Sequence, residues 1–410
     1  MEPLPVALGM PAIRKCWPES GLNVDDLCGN GFRPLPFTEY IIKVHSRCNL
    51  ACDYCYLYEM ADQSWRDQPI AMSRTTFDEA CRMIAEHVQR FNLSAINVVL
   101  FGGEPLLVGH SNLEYFAAQA RAVLGPICDL QIGLQTNGAL LDEEFLRICN
   151  KWNIGITVSL DGDERSHDRH RRDRRGNGSY QKIAAALDKL NSPNWRHLFS
   201  GLLCVIDLDN DPIQAYNGLL AFDPPKINFE LPIGNWSSPP PGLHPGSGNT
   251  PYADWLLKIF DHWYGASNLS THIRMFENIM DLLLGGSVAS EVFGLGPIQL
   301  AVIETDGTVA QVDDLKSTYS GAPQLSQAST GNLLDWAMMN PSIVARHIGA
   351  DALSDTCRTC PVKTICGGGH YVTRYHAESG FRNPSVYCAD LMKLIRHIEF
   401  RMRSDIDASI

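Results

Sequence analysis

The sequence contains no stretch of about 18 consecutive uncharged apolar residues, which is the length that a membrane-spanning helix needs. Its first ten residues also lack the positive segment and apolar run of a secretory signal, so we expect a cytoplasmic protein. The 13 cysteines in 410 residues do not form a small secreted disulfide scaffold. A formal charge of −12 argues against nucleic acid or an anionic membrane as the main partner, and one basic run, residues 165–175, is the local exception.

The composition is that of a globular protein, with 45% hydrophobic and 20% charged residues, and the length suits one large domain and one smaller domain. Residues 235–250 are rich in Pro, Gly and Ser, and two amphipathic runs come after them at 252–264 and 273–284. We therefore expect an irregular N-terminal extension (1–36), a barrel (37–235), a linker with bridging helices (236–290) and a C-terminal domain (291–410).

Apolar runs that predict strands alternate with stretches of helical spacing from residue 37 onward. The strands are predicted at 40–45, 96–101, 130–135, 154–159, 198–206 and 226–231, with helices such as 73–91 and 142–152 between them. Regular alternation indicates an α/β fold with a parallel sheet and right-handed crossovers. Six such units suit a partial (β/α)6 TIM-like barrel, whose active site lies at the carboxyl ends of its strands.

Three cysteines, Cys48, Cys52 and Cys55, occupy one short loop directly after the first predicted strand. Thiolates spaced by three and then two residues can surround a single metal centre. Three protein ligands leave one position of a tetrahedral or cubane site open, where chemistry can occur. The alternative is a closed zinc site with His45 as the fourth ligand.

This C-x3-C-x2-C loop, with an aromatic residue before the last cysteine, resembles the signature of radical SAM enzymes. The run KVHSRCNLACDYCYLYEMADQSWRDQP, residues 43–69, more closely resembles the FxsB-type radical SAM/SPASM peptide maturases, several of which are cyclophane synthases. The resemblance implies a 4Fe–4S cluster whose fourth iron binds S-adenosylmethionine (SAM). It also implies an electron donor such as flavodoxin or ferredoxin, and cleavage of SAM to methionine and a 5′-deoxyadenosyl radical.

Polar or glycine-rich motifs lie directly after the predicted strands. Taken singly, these motifs are turns, helix caps or, for Leu203, a strand core residue. The resemblance instead implies SAM contacts from Tyr54, Gly102, Gly103, Glu104, Thr136, Asn137, Ser159, Asp161, Arg171 and Leu203. The other arginines of the basic run form either a solvated face or a peptide-binding face.

A second cysteine group near the C-terminus consists of Cys357, Cys360, Cys366 and Cys388. Its spacing suits zinc and a 4Fe–4S cluster equally. The arrangement resembles the SPASM domain with its distal auxiliary 4Fe–4S cluster. Full SPASM domains carry further cysteines, but His370 and Val312 stand at two of those positions. We therefore expect the proximal auxiliary cluster to be absent.

Asp313 comes directly after Val312, and the resemblance implies that this aspartate is the catalytic base, whereas a surface turn acid is the alternative. The implied reaction abstracts a Cβ hydrogen from a ribosomal precursor peptide and joins that carbon to an aromatic ring as a three-residue cyclophane. The nearest alternatives are formylglycine-type oxidation, thioether formation and epimerisation. A zinc-stabilised binding protein without redox chemistry is the alternative from another class.

Overall fold

A parallel sheet forms the centre of the computed structural model, which describes residues 16–266, 270–325 and 331–409. In chain order, the strands are β1 (Glu39–His45), β2 (Ala95–Gly102), β3 (Asp129–Thr136), β4 (Ile154–Ser159), β5 (Phe199–Val205), β6 (Lys226–Glu230), β7 (His272–Ile273), β8 (Leu300–Ile303) and β9 (Val309–Ala310). The first six lie where the alternation predicts strands, and their ends differ from the prediction by one residue at most.

The sheet order is β7-β6-β5-β4-β3-β2-β1-β8-β9. Neighbours from β7 to β8 pair in parallel, and β9 pairs antiparallel with β8. The prediction of an α/β fold with a partial barrel is confirmed. The strands β8 and β9 belong to the predicted C-terminal domain yet extend the barrel sheet from β1, and the predicted domain boundaries remain a prediction.

Helices connect most of the strands, and further helices precede the first strand and follow the last. They are α1 (Val24–Gly29), α2 (Arg74–Phe91), α3 (His110–Leu124), α4 (Glu143–Trp152), α5 (Glu164–His170), α6 (Tyr180–Leu190), α7 (Pro212–Leu220), α8 (Pro251–Tyr264), α9 (Arg274–Leu283), α10 (Leu333–Ala337), α11 (Pro341–Val344), α12 (Asp355–Arg358), α13 (Lys363–Cys366) and α14 (Cys388–Ser409). Short 3₁₀ helices lie at Ser64–Arg66, Pro105–Val108, Arg196–Leu198, Asp313–Ser317, Gly349–Ala352 and Tyr371–Arg374. No helix in the described part of the chain has the length and apolar character that crossing a membrane requires.

Side-chain caps explain where two predicted helices begin. The Ser73 hydroxyl accepts the N–H of Thr76 at 3.0 Å, and an oxygen of Asp142 accepts the N–H of Phe145 at 2.9 Å. Each cap satisfies a backbone donor that has no partner within the helix. These caps place the start of α2 and of α4 one residue after the capping side chain.

The N-terminal segment is more ordered than its sequence predicts, because it contains α1. Residues 1–15 of the predicted irregular extension lie outside the described residues. The next residues pack on the C-terminal part, where the Phe381 N–H donates to the Trp17 carbonyl at 3.3 Å. A Cβ on Gly380 would lie 2.2 Å from the same carbonyl oxygen, so a side chain there would displace the segment.

Candidate active site

Residues 46–58, here called the cysteine loop, come after β1 and rest on the end of β2. The Gly103 N–H donates to the His45 carbonyl at 2.8 Å, and the Glu104 N–H donates to the Arg47 carbonyl at 3.0 Å. A Cβ on Gly103 would lie 1.8 Å from the Tyr58 hydroxyl and 2.5 Å from the Arg47 carbonyl oxygen. Glycine is required there because the loop backbone contacts the strand end directly.

The three thiols of the cysteine loop are half-buried and adjacent to one another. Burial raises the pKa of Cys48 to about 12 and that of Cys55 to about 11, and charge on a neighbouring sulfur raises both further. Such thiols are poor free thiolates, but a bound metal deprotonates and neutralises them. This donor set therefore fits a metal centre.

In the described ranges, no three Cys, His, Asp or Glu side chains converge as ligands of one metal ion would. The ligands of a 4Fe–4S cube are spread over separate iron atoms and do not converge in that way. His45, the fourth ligand of the zinc alternative, contacts the backbone of Arg47 through Nδ1, at 2.9 Å from its carbonyl oxygen.

The buried carboxylate of Glu104 joins the ends of β2 and β3. It accepts hydrogen bonds from Thr136 Oγ1 at 2.7 Å, from the Asn137 N–H at 2.8 Å and from the Leu106 N–H at 3.1 Å. Burial outweighs these bonds and raises the pKa of Glu104 to about 7. The amide of Asn137 donates to Asn49 Oδ1 at 2.8 Å and also lies 3.6 Å from Cys48 Sγ. The end of β3 is thus bonded directly to the cysteine loop.

Asp161, which follows β4, is a second buried carboxylate that joins strand ends to the cysteine loop. Its carboxylate accepts Arg171 Nε at 2.9 Å, the Val205 N–H at 3.0 Å and the Tyr54 hydroxyl. The Arg171 guanidinium also lies over the Tyr54 ring, 5.5 Å from its centre. Both Asp161 and Arg171 are buried, so this pair connects β4, β5 and the cysteine loop.

All the residues predicted to contact SAM lie in the cysteine loop, at the ends of β2 to β5 or in the segment after α5. Ser159 is buried at the end of β4, and Leu203 is half-buried near the end of β5. The structure therefore brings these residues to one edge of the barrel. Their contacts with a nucleotide remain a prediction.

Asp313 lies in a buried network of charges beside β1. The Lys43 ammonium pairs with Asp313 and lies 2.7 Å from Glu304 Oε1. Lys316 Nζ lies 3.9 Å from Asp313 and 3.0 Å from Asp62. Burial raises the pKa of Asp313 despite the opposing charge of Lys43. Asp313 is therefore a buried carboxyl and not the acid of a surface turn.

The second cysteine group is assembled from α12, the turn after it, the last residue of α13 and the first residue of α14. Cys357 is buried, and Cys360, Cys366 and Cys388 are half-buried. Burial raises the pKa of Cys366 to about 12, and the charges of Cys388 and Cys357 contribute to the rise. The four predicted ligands thus lie near one another in the structure. The identity of their metal centre remains a prediction.

His370, which stands where a full SPASM domain has a cysteine, connects two acids. Its Nε2 lies 3.0 Å from Asp314 and 3.7 Å from Glu291, and Arg346 lies 2.9 Å from Glu291. Burial opposes the charge on His370, but the hydrogen bonds and charges of Asp314 and Glu291 outweigh it and raise the pKa to about 10.

The barrel is similar in sequence to a known protein family. Residues 42–216 match the family model described as the Radical SAM superfamily. The barrel is a radical SAM domain. The family implies a 4Fe–4S cluster and SAM, and the matched residues include the cysteine loop and the ends of β1 to β5.

The sequence similarity to two relatives extends well beyond the radical SAM domain. The cysteine-type anaerobic sulfatase-maturating enzyme of Clostridium novyi is 24% identical over 359 residues, which cover 84% of this chain and 90% of the relative. The serine-type anaerobic sulfatase-maturating enzyme of Klebsiella aerogenes is 24% identical over 345 residues, covering 82% of this chain and 80% of the relative.

Two solved structures share the fold of both the radical SAM domain and the C-terminal part of the chain. One, native anSMEcpe with bound AdoMet and Cp18Cys peptide, has a TM-score of 0.73 and 21% identity, covering 91% of this chain and 99% of that one. The other, Streptococcus suis SuiB bound to precursor peptide SuiA, has a TM-score of 0.57 and 14% identity, covering 89% of this chain and 78% of that one.

Sequence reasoning missed several charged groups beside the radical SAM domain. Lys43 interrupts an apolar strand, and the sequence suggests that it faces solvent because its partners Glu304 and Asp313 are far away in the chain. Glu230, at the end of β6, reads as an ordinary strand terminus. The useful signal was the position of both residues near the carboxyl ends of strands, where barrel enzymes place chemistry.

Proposed function

We propose that this radical SAM enzyme modifies a ribosomally made precursor peptide and forms a three-residue cyclophane. The bound cluster and SAM, with one electron from a donor such as reduced flavodoxin, would supply a 5′-deoxyadenosyl radical that removes a hydrogen atom from a side-chain Cβ. That carbon would then join an aromatic ring, and the ring would lose one electron to an iron–sulfur cluster and one proton to a base. The observation that carries the proposal is the cysteine loop, bonded to the ends of β2 and β3 and packed against Asp161 and Arg171. The FxsB-type segments of the sequence favour the cyclophane.

We assign Cys48, Cys52 and Cys55 to the SAM-binding 4Fe–4S cluster. The second group would hold an auxiliary 4Fe–4S cluster with four protein ligands, Cys357, Cys360, Cys366 and Cys388. A cluster with four protein ligands has no iron free for substrate, so we assign it a structural or electron-relay role.

A cavity beside the end of β6 favours the proposal that the substrate is a peptide. Its volume is about 140 Å³, and its lining includes Glu230, Arg274, Asn278, His370 and Tyr387. These side chains provide both charges, an amide and an aromatic face, which suits a peptide better than a purely apolar ligand. The anSMEcpe and SuiB structures were determined with peptides bound, and their resemblance in fold points the same way.

Glu230, in the lining of the cavity, also influences Tyr56, the residue after Cys55 on the cysteine loop. Burial raises the pKa of Tyr56, and the charges of Asp314, Asp313 and Glu230 raise it further. We propose that a peptide bound in the cavity reaches the cysteine loop, and that Asp313 is the base that accepts a proton during product formation.

Formylglycine formation is the second candidate, favoured by the sulfatase-maturating relatives. It converts a serine or cysteine of the substrate to an aldehyde and needs no aromatic ring. The His370 and Val312 positions, which lack the cysteines of a proximal auxiliary cluster, favour the cyclophane over this reaction.

The deciding experiment reconstitutes the protein anaerobically with iron and sulfide, adds SAM and dithionite as the reductant, and supplies any short peptide that a neighbouring reading frame encodes. We expect the peptide to lose two hydrogens, and fragmentation should map the loss to an aromatic residue and a Cβ two residues away. The Cys55→Ala variant is the inactive control. An aldehyde trapped by a hydrazide reagent would establish the sulfatase-type reaction instead, and an unchanged mass with altered stereochemistry would indicate epimerisation.

A further inference from the structure

The basic run after α5 divides into paired and unpaired arginines. Arg169 lies 3.1 Å from Asp207, and Arg171 lies 2.9 Å from Asp161. By contrast, Arg172, Arg174 and Arg175 are exposed, and none of them forms an ion pair within the described ranges of the chain. Three uncompensated positive charges thus lie together on a protein whose formal charge is −12.

These arginines sit on a defined turn, residues 172–178, here called the arginine turn. Arg172 and Gly178 form an antiparallel bridge. Asp173 Oδ1 accepts the N–H of Arg175 at 2.8 Å and that of Asn177 at 2.9 Å. The carboxylate of Asp173 is therefore used inside the turn. Arg172 Nε donates to the Asp168 carbonyl at 2.8 Å, but the charge of its exposed guanidinium remains available to a partner, as does that of Arg175.

The arginine turn contacts the cysteine loop directly. The Ala51 N–H donates to the Arg172 carbonyl at 2.7 Å, and Arg174 Nη2 donates to the Cys48 carbonyl at 3.1 Å. Ala51 and Asp53 on the loop are exposed, and Asp53 pairs with His170 at 2.8 Å. The positive surface is thus one hydrogen bond from the backbone of a proposed cluster ligand.

We propose that the arginine turn is the docking surface for an acidic protein that delivers the reducing electron. The proposal rests on the assignment of the SAM-binding cluster in the proposed function. One electron leaves the reduced flavin or iron–sulfur centre of the donor and enters that cluster, so the donor is oxidised and the cluster reduced by one electron.

Two physical arguments support this surface. Electron transfer between proteins weakens steeply with distance, so a donor must dock beside the cluster that it reduces. Opposite charge also steers two proteins into contact and selects partners, and this positive turn is complementary to an acidic donor. No residue of the turn lines the cavity beside β6, so donor and peptide would use different side chains.

The test uses the reconstituted holoenzyme with flavodoxin, an acidic flavoprotein, and compares two double variants. Arg172→Gln with Arg175→Gln removes charge from the turn and leaves the Arg174 contact intact. Arg82→Gln with Lys189→Gln is the matched control, since both residues are exposed on the outer helices α2 and α6. Flavodoxin binding is measured by calorimetry at several salt concentrations. SAM cleavage to 5′-deoxyadenosine is measured with reduced flavodoxin or with dithionite, without peptide.

For the turn variant we expect flavodoxin binding and flavodoxin-driven cleavage to fall by about tenfold at low salt, with a weaker dependence on salt. Dithionite-driven cleavage should stay unchanged, and the control variant should match the wild type throughout. Equal flavodoxin affinity in all three proteins would overturn the proposal. So would a turn variant that binds flavodoxin normally but loses affinity for the precursor peptide. Because no peptide enters the reduction assay, an error in the peptide assignment would not change this result.

Discussion

The Glu104 carboxylate accepts the backbone N–H of Asn137 at 2.8 Å, which ties the end of β2 to the end of β3. The side chain of Asn137 in turn donates to Asn49 on the cysteine loop. One buried acid therefore fixes two strand ends and, through Asn137, the loop. The same acid is one of the residues that the sequence resemblance assigns to SAM binding.

Replacing Glu104 should weaken SAM binding and stability together. In Glu104→Ala the N–H groups of Asn137 and Leu106 lose their acceptor, at a cost of about 1–3 kcal/mol for each buried donor. We expect SAM affinity to fall by at least about tenfold in calorimetry and urea unfolding to shift to lower concentration. Glu104→Gln should recover part of the stability but not the affinity, and Glu59→Ala, at an exposed site, is the control. Unchanged SAM affinity in Glu104→Ala would remove Glu104 from the SAM site.

Removing each cysteine group should remove one cluster. The triple variant Cys48→Ala, Cys52→Ala and Cys55→Ala should lose about half of the iron, keep a residual absorbance near ~400 nm and show no SAM cleavage. The quadruple variant at the second group should lose the other half. Iron and sulfide analysis after anaerobic reconstitution measures this, with Cys28→Ala as the control. Zinc without iron in the wild type, or an iron content that neither set alters, would contradict the cluster assignments.

Asp313 should affect product formation more than SAM cleavage. Asp313→Asn keeps the shape of the side chain and leaves Lys43 paired with Glu304, so the fold should persist. Loss of a positioned base lowers rates by about 10²–10⁴-fold. We therefore expect normal iron content and 5′-deoxyadenosine formation with little modified peptide, measured in the same reaction by chromatography and mass spectrometry. The exposed Asp306→Asn is the control, and full product from Asp313→Asn would place the base elsewhere.

Sequence patterns predicted the barrel well because each strand is long enough to show its period. The bounds of β4 agree at both ends, and Ser73, at the start of the helix predicted over 73–91, caps α2 through a local side-chain contact. The strands β7, β8 and β9 were missed because two to four residues carry no period, and β8 depends on pairing with β1. The Lys43 network was missed for a related reason, since burying a lysine requires acids that only the tertiary fold brings near.

His370 yields the prediction with the clearest dependence on pH. Its pKa in the folded protein, about 10, lies above the ordinary 6.5, so the folded state binds the proton more tightly than the unfolded state does. The resulting stability is fully present below pH ~6.5 and is lost as the pH rises toward ~10. At pH 7 the protonated ring should contribute about 3–5 kcal/mol to the free energy of unfolding. Without it, Glu291 and Asp314 lose their shared partner, and only Arg346 still neutralises Glu291.

The measurement compares denaturant unfolding of the wild type and His370→Asn between pH 7 and 10. The wild type should be more stable at pH 7, and its advantage should shrink by about 1.4 kcal/mol for each pH unit as the ring loses its proton. Taking the difference between the two proteins cancels the titration of shared groups whose pKa does not depend on His370. His244→Asn, at an exposed site, should leave the profile of the wild type unchanged. A constant gap between wild type and His370→Asn across this range would show that His370 is neutral in the folded protein and that packing, rather than charge, fills the position of the missing cysteine.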